Sequence, residues 1–467
     1  MEEVTTRPDS VSYLSGSTLP PWHAVGLRNL SSAEAIAQFL KTGANDRAAA
    51  YGPMTEVVSG STQYFSEADL AAIGEFLTSI STRKGAATAA SSPGAPETLY
   101  TTRGGLAYDQ SCASCHQRDG RGAPGVFPPL AGNESVLSAD PTSVIHVVLT
   151  GWTEATTQHS KHAFTMPDYS QLTDSELAEI LTFVRTNWGN KGAAVTAPQI
   201  KDQRDALSLA PTAPPKFTVW RFADMLAAPN ADQLVLGMRL MTETKALVPD
   251  NVGDVMSCSS CHLNGGTVAN GSPFNGLAAL FPMYNPRAGR IISIEERLNG
   301  CFLRSMNGKP IPVDSKDMKA MIAFISRMRG DATADGKIVG RGTTEVDPKL
   351  VADPVRGKTL FEANCAVCHG SDGQGMKSAN GGWLFPPLWG DEAFNVGAGI
   401  ARTLTAASFI KADMPVAHST KFPLGQGGLP DQDAIDLADY FTHQPRPDFP
   451  DKVNDWSKGG KPKDARY

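Results

Sequence analysis

The chain has 467 residues, too many for one hydrophobic core, so about three or four domains are expected. Hydrophobic residues make up 41 %, enough for globular packing, and a net charge of -6 gives no footprint for nucleic acid and no polybasic signal for a membrane surface. No apolar run reaches the roughly 18 residues of a transmembrane segment, and 44 glycines with 33 prolines imply short elements, many turns and true linkers.

The chain opens on "MEEVTTRPDS", which lacks the basic n-region and apolar h-region of a signal peptide. Within residues 1–82, Ser66 is followed at +4, +7 and +10 by Leu70, Ile73 and Phe76, the spacing of one buried helix face, and Ser66 with Asp69 reads as a capping pair. The stretch 81–97, "STRKGAATAASSPGAPE", is small and flexible and reads as a linker.

The next domain, 99–190, contains Cys112-Ala-Ser-Cys115-His116. Two thiols one helical turn apart can add to the two vinyl groups of one porphyrin, and the following imidazole then becomes the proximal ligand of the iron. The pattern recurs as Cys258-Ser-Ser-Cys261-His262 and Cys365-Ala-Val-Cys368-His369. Zinc sites, redox pairs and disulfides are the alternatives. Zinc wants pairs coupled two by two, and redox or disulfide use gives no reason for a histidine after every second cysteine. Three covalently bound c-type haems are expected.

The helix ending of residues 66–76 also recurs: Thr173 precedes Leu177, Ile180 and Phe183, with Glu176 as capping partner; Asp314 precedes Met318, Met321 and Phe324; Asp431 precedes Ile435, Ala438 and Phe441. Met166 in "FTMPDY" and Met414 in "ADMPVA" stand shortly before two of these helices, 50 residues after His116 and 45 after His369. Each is the candidate thioether ligand of its haem. Stretches 189–216 and 330–349 read as linkers, which bounds two further domains at 217–332 and 350–467, the latter with a polar, proline-rich tail.

The domain 217–332 has no Met-Pro after His262. Met306, Met318 and Met321 are available, but the last two fall on the helix stripe. Cys301, the only cysteine outside the three motifs, lies 39 residues after His262, where the loop of the distal ligand is expected. It is either a buried free thiol or the distal ligand. Arg287, Arg290, Arg297 and Arg304 fall within eighteen residues around it. Arg290 and Arg304 read best as part of a solvated charged face.

The order of helix, attachment motif, distal ligand and final helix resembles the small class I cytochrome c domain. That resemblance implies a mainly α chain of tandem class I cytochrome c-type domains joined by flexible linkers. It also implies that a proline carbonyl in each "FPPL", 127–130 and 385–388, accepts the proximal imidazole N–H. Residues 99–190, through "CASCHQRDGRGAPGVFPPLAGN", are similar to the cytochrome subunits of membrane-bound alcohol dehydrogenases. Residues 1–82, with "YGPMTEVV" and Met54, look like the back half of such a domain without its attachment motif. Either the haem has been lost or the coding sequence starts upstream, with the missing motif and a signal peptide.

Residues 217–467 resemble the dihaem thiosulfate dehydrogenases, through "CSSCHLNGGTVANGSPFNGLAALFPMYNPRAGRIISIEERLNGCFLRSMNGKPIP", "LFPPLWGDEAFNVGAGIARTLTAASFIKADMP" and the terminal "DWSKGGKPKDARY". The resemblance implies Cys301 as distal ligand of the catalytic haem, with Arg287, Arg297 and Ser305 as active-site residues. It implies oxidation of two thiosulfates to tetrathionate, with Cys301 thiolate transiently available to the sulfane sulfur. Electrons then pass by the His369/Met414 and His116/Met166 sites to an external cytochrome c or terminal oxidase. Asp413 stands where some members have a lysine that competes as ligand. A periplasmic location follows, since c-type haem is attached outside the cytoplasm. The alternative is a non-catalytic electron-transfer subunit of a membrane dehydrogenase, and the direction of the reaction is not written in the sequence.

Overall fold

The computed structural model describes residues 13–30, 32–82, 95–160, 162–209, 220–330, 337–378, 382–417 and 428–467. It is mainly helical, and among these residues β structure is limited to four two-stranded antiparallel ladders and isolated bridges. The described residues fall into two compact units, one up to residue 209 and one from residue 220 onward. None of their helices is long and apolar enough to cross a membrane.

In the first unit, the ladder of β1 (Ser17–Leu19) and β2 (Trp22–Ala24) precedes α1 (Ala33–Thr42), α2 (Pro53–Gly60) and α3 (Glu67–Ser79). Then come α4 (Arg103–Ser111), α5 (Thr142–Thr150), the ladder of β3 (Trp152–Thr153) and β4 (Thr165–Met166), α6 (Asp174–Thr186) and α7 (Ala197–Ala206). The expected capping boxes form: Ser66 with Asp69 starts α3, and Thr173 with Glu176 starts α6. On α6, Leu177, Ile180 and Phe183 are all buried, and Phe183 packs on Tyr108 of α4 with ring centroids 5.3 Å apart.

Two sequence expectations fail in this unit. On α3, Phe76 is 44 % exposed, and Leu70, Gly74 and Leu77 form the buried face instead. The chief helical partner of α3 is α1, which crosses at Gly74, where a Cβ would come within 2.5 Å of the Ala33 carbonyl oxygen. Phe76 therefore lacks the helix that α4 provides for Phe183. The supposed linker 189–216 contains α7, which starts at a Thr196/Gln199 capping box and buries Ile200 completely. Arg204 ties it to α6 through Asp174 at 3.0 Å and the Ser170 and Leu172 carbonyls.

The second unit contains α8 (Ala231–Thr242), the hairpin of β5 (Met283–Asn285) and β6 (Arg290–Ile292), α9 (Ile294–Arg304) and α10 (Lys316–Arg327). It continues with α11 (Pro354–Asn364), the ladder of β7 (Met376–Lys377) and β8 (Trp383–Phe385), α12 (Thr403–Asp413) and α13 (Asp431–Thr442). The helix starts shift by one residue from expectation: Ser315, not Asp314, caps α10, and α13 begins at Asp431 behind Pro430. Met318, Met321 and Phe324 are fully buried on α10, as core.

One packing device occurs three times. The first helix of each haem-motif domain crosses the last with no room for a Cβ, at Gly104 on Glu179, Gly237 on Ala320 and Gly357 on Asp436, each within 2.1–2.2 Å of a carbonyl oxygen. That crossing presents the segment after the first helix, which carries the two cysteines, to the interior of each domain.

Candidate active site and cofactor pockets

Each C-x-x-C-H forms a tight turn. The backbone N–H of His116, His262 and His369 donates to the carbonyl of Cys112, Cys258 and Cys365 at 3.0, 2.9 and 2.9 Å. Each imidazole Nδ1–H donates to a backbone carbonyl: His116 to Pro128 and His369 to Pro386, both at 2.9 Å, and His262 to Ser272 at 2.5 Å. The two prolines belong to the "FPPL" pair. Ser272 was not legible in the sequence. It is itself held from the stretch expected to be a linker, its N–H donating to Gly342 at 2.9 Å.

This arrangement leaves Nε2 of each histidine available as an iron ligand. Burial lowers the pKa of all three imidazoles; His262 is lowered to about 4, first by desolvation and, against the Ser272 bond, by Arg297. Burial also pushes Cys112, Cys258, Cys261 and Cys365 up to about 12 and Cys368 to about 11. Thiol pairs one helical turn apart, each followed by a histidine, fit covalent thioether attachment.

In the first unit, Cys112, His116 and Met166 line one cavity of about 860 Å³, its open mouth included. Leu130, Val136, Val147, Leu177, Ile180 and Val184 make its walls apolar. The donor set and the greasy walls fit an attached porphyrin with His116 and Met166 as axial candidates. In the second unit, Met414 is the C-cap of α12, its N–H donating to Ile410 at 3.0 Å. Next to it, Asp413 is 1 % exposed, has no hydrogen-bond partner on either oxygen, and is pushed up to about 8 by burial.

Cys301 does not sit in a loop. It lies on α9, which starts at a Ser293/Glu296 capping box and turns Leu298 and Phe302 into the core. Arg297, Cys301 and Ser305, each four residues apart, share a helical face that adjoins the core face. Arg297 Nη1 donates to Cys301 Sγ at 2.9 Å, and this neighbour raises the pKa of Arg297 above its ordinary value. Cys301 is also close enough to raise the thiols of Cys258 and Cys261, as Arg297 is to lower His262. Motif and Cys301 thus converge on one place. Ser305 is the half-buried C-cap of α9, its N–H donating to Cys301 O at 2.8 Å.

Arg287 stands elsewhere, at the turn of the β5–β6 hairpin. Its Nη1 donates to Gly397 O at 2.6 Å, its guanidinium lies 4.8 Å from the Trp456 ring centroid, and its Nε is 3.8 Å from Asp455. Arg290 is exposed and paired with Glu296 at 2.7 Å. Arg304 is no solvated charge: it grips Asp455 with both Nη atoms at 2.8 and 2.7 Å and stacks on Phe449 at 4.2 Å. Asp455, 5 % exposed at its side chain, therefore gathers Arg287 and Arg304, and Tyr467 OH donates to it as well. Buried Asn395 pins the end of α9 through the Leu303 carbonyl at 2.9 Å. Neither Asp455 nor Asn395 was a sequence candidate, although "DWSKGGKPKDARY" begins with Asp455.

A sequence family described as SoxA/TsdA, cytochrome c domain, matches residues 251–331, and the cytochrome c family matches residues 101–188 and 354–444. The chain is 44 % identical over 231 residues to the thiosulfate dehydrogenase of Psychrobacter arcticus, covering 49 % of this chain and 68 % of that protein. It is 36 % identical over 213 residues to the cytochrome c subunit of the quinone alcohol dehydrogenase of Gluconacetobacter polyoxogenes, covering 42 % of this chain and 45 % of that one. The solved thiosulfate dehydrogenase (TsdBA) of Marichromatium purpuratum, in its as-isolated form, aligns with a TM-score of 0.57 at 25 % identity over 91 % of this chain and 85 % of that chain.

Proposed function

The chain belongs to the thiosulfate dehydrogenase family, and on that premise we propose that it joins two thiosulfates into tetrathionate and passes the electrons to an external cytochrome c or terminal oxidase. Each thiosulfate loses one electron, and one S–S bond forms between the two sulfane sulfurs. Bound haem supplies one-electron acceptance at three sites, held by Cys112, Cys115, His116 and Met166; by Cys258, Cys261, His262 and Cys301; and by Cys365, Cys368, His369 and Met414. We assign the reaction to the periplasm, where c-type haem is attached. Residues 99–190 supply an electron carrier of the kind found in alcohol dehydrogenase cytochrome subunits.

The observation that carries this reading is the Arg297–Cys301 pair beside His262. Two dianions brought to about 4 Å repel by about 4 kcal/mol even in water, four times the value for unit charges. Fixed cations must offset that. Arg297 offers a planar donor fork to a sulfonate-like group beside the Cys301 sulfur. Arg287, held by Trp456 and Gly397, adds a second fixed positive charge to the same unit. Ser305 adds a hydroxyl on the same helical face as Cys301. A carrier that merely relays electrons needs no arginine hydrogen-bonded to a spare cysteine.

The test is thiosulfate-dependent ferricyanide reduction by holoprotein made in a cytochrome c maturation host, with tetrathionate measured as product. Absence of turnover by fully haem-loaded protein would leave the electron-transfer subunit as the correct reading.

A further inference from the structure

Residues 13–82 have no attachment motif, yet they are built into the Met166 pocket. The β1–β2 hairpin lays Trp22 flat on His146 of α5, with centroids 3.7 Å apart and planes at 12°. His23 N–H donates to Ser143 Oγ at 2.8 Å, Ser143 Oγ donates back to His23 O at 2.9 Å, and His146 Nδ1 donates to Pro21 O at 3.1 Å. Trp22 also meets Trp152 edge-on at 5.6 Å and Tyr51 at 5.9 Å. Trp152 Nε1 donates to Thr55 Oγ1 at 2.8 Å, and Gln158 N–H donates to Gln63 Oε1 at 2.9 Å. Ala50 and Val58 bury themselves with Ala155 in one apolar cluster, against which Phe39 and Met54 pack.

Two of these contacts bear on the haem site. Trp152 of β3 is the register partner of Met166 of β4, so the Thr55–Trp152 bond anchors the ladder that presents the thioether. Ala49 and Tyr51 line the same cavity as Cys112, His116 and Met166.

We infer that residues 13–82 form a wall of the 99–190 haem pocket, in which Tyr51 shields the cofactor edge from water and Thr55, through Trp152, positions Met166. The inference rests on His116 and Met166 being the axial pair. Water at a haem edge stabilises the ferric charge, so removing the wall lowers the potential, and a loosened ladder lets foreign ligands compete with the thioether.

The experiment uses full-length holoprotein in a Met414→His background, so that the near-infrared thioether band reports Met166 alone. Tyr51→Ala is expected to lower the midpoint potential of that haem, and imidazole should abolish the band at a concentration at least fivefold lower. Thr55→Val should increase imidazole sensitivity with a smaller change in potential. Tyr51→Phe keeps the ring and should match the parent, as should Tyr64→Ala on the exposed side of the segment, where Tyr64 is 62 % exposed. Parent-like potentials and imidazole midpoints in both Tyr51→Ala and Thr55→Val, with the band present, would overturn the wall while sparing the axial assignment. A background protein with no band at all would overturn both.

Discussion

Arg297 and Cys301 lie one turn apart on the same face of α9, and the guanidinium donates to the sulfur across 2.9 Å. A sulfur that accepts a hydrogen bond from a fixed cation is held in place. The helix thus carries the sulfur we propose as catalytic and a cation beside it on a single rigid element, and its core face, Leu298 and Phe302, sets their position.

Cys301→Ala should leave all haems attached, because attachment uses the other six cysteines. Mass spectrometry of the variant and its parent should show the same three haem additions. Thiosulfate turnover should fall by orders of magnitude, and the low-spin thiolate signal should vanish from the ferric electron paramagnetic resonance spectrum. Near-normal turnover in the variant would falsify the catalytic assignment.

Arg297→Ala should separate binding from ligation. Losing a charge-assisted hydrogen bond and an anion contact costs about 1.5–3 kcal/mol, so kcat/KM for thiosulfate should drop roughly 10- to 100-fold. The thiolate signal should persist. Arg297→Lys restores charge but not the planar fork and should recover only part of the loss. Wild-type kcat/KM in the alanine variant would remove Arg297 from the anion site.

Asp455→Asn tests the tail. Both Arg287 and Arg304 turn to this one shielded carboxylate, and breaking a buried pair costs about 3 kcal/mol. The unfolding temperature should fall by several degrees, and KM for thiosulfate should rise as Arg287 loses its orientation, with kcat changed less. Tyr467→Phe, which removes only one further donor, should be milder on both counts. Equal effects of the two variants would argue against the two-arginine hub.

Asp254 supplies a pH signature. It is 2 % exposed, one carboxyl oxygen lacks a partner, and burial pushes its pKa to about 7, well above its ordinary value of about 3.9. The folded protein keeps a proton that the unfolded chain loses, so this group subtracts stability as pH climbs from about 4 to 7. Asp254→Asn keeps the acceptor for the Met256 N–H and removes the buried charge. Its unfolding temperature should exceed the parent's by about 2–4 °C at pH 8 and by nothing near pH 3. A pH-independent difference would exclude the titration.

The sequence by itself determined whatever depends on neighbours within one or two helical turns. The three attachment motifs, the Ser66 and Thr173 capping boxes, the buried stripes of α6 and α10 and the "FPPL" carbonyls that receive His116 and His369 are all local patterns with local physics. Cys301 and Arg297 were each legible as candidates but not as a pair, because four residues of spacing mean adjacency only on a helix and a loop was expected there. That they stand on a helix, and not in the expected loop, depends on Leu298 and Phe302 finding a core. Only the tertiary structure decided the rest. Phe76 carries the right period but stays 44 % exposed. Ile200 makes a core helix of a stretch with linker composition. Arg304 looked like surface charge until Asp455, 151 residues away, closed on it. Ser272 replaces proline as the acceptor for His262, and Tyr51 reaches a haem pocket whose motif lies some sixty residues further on. Each of these is fixed by groups far apart in the chain whose meeting excludes water or satisfies a buried charge, and no local period encodes which distant partner will arrive.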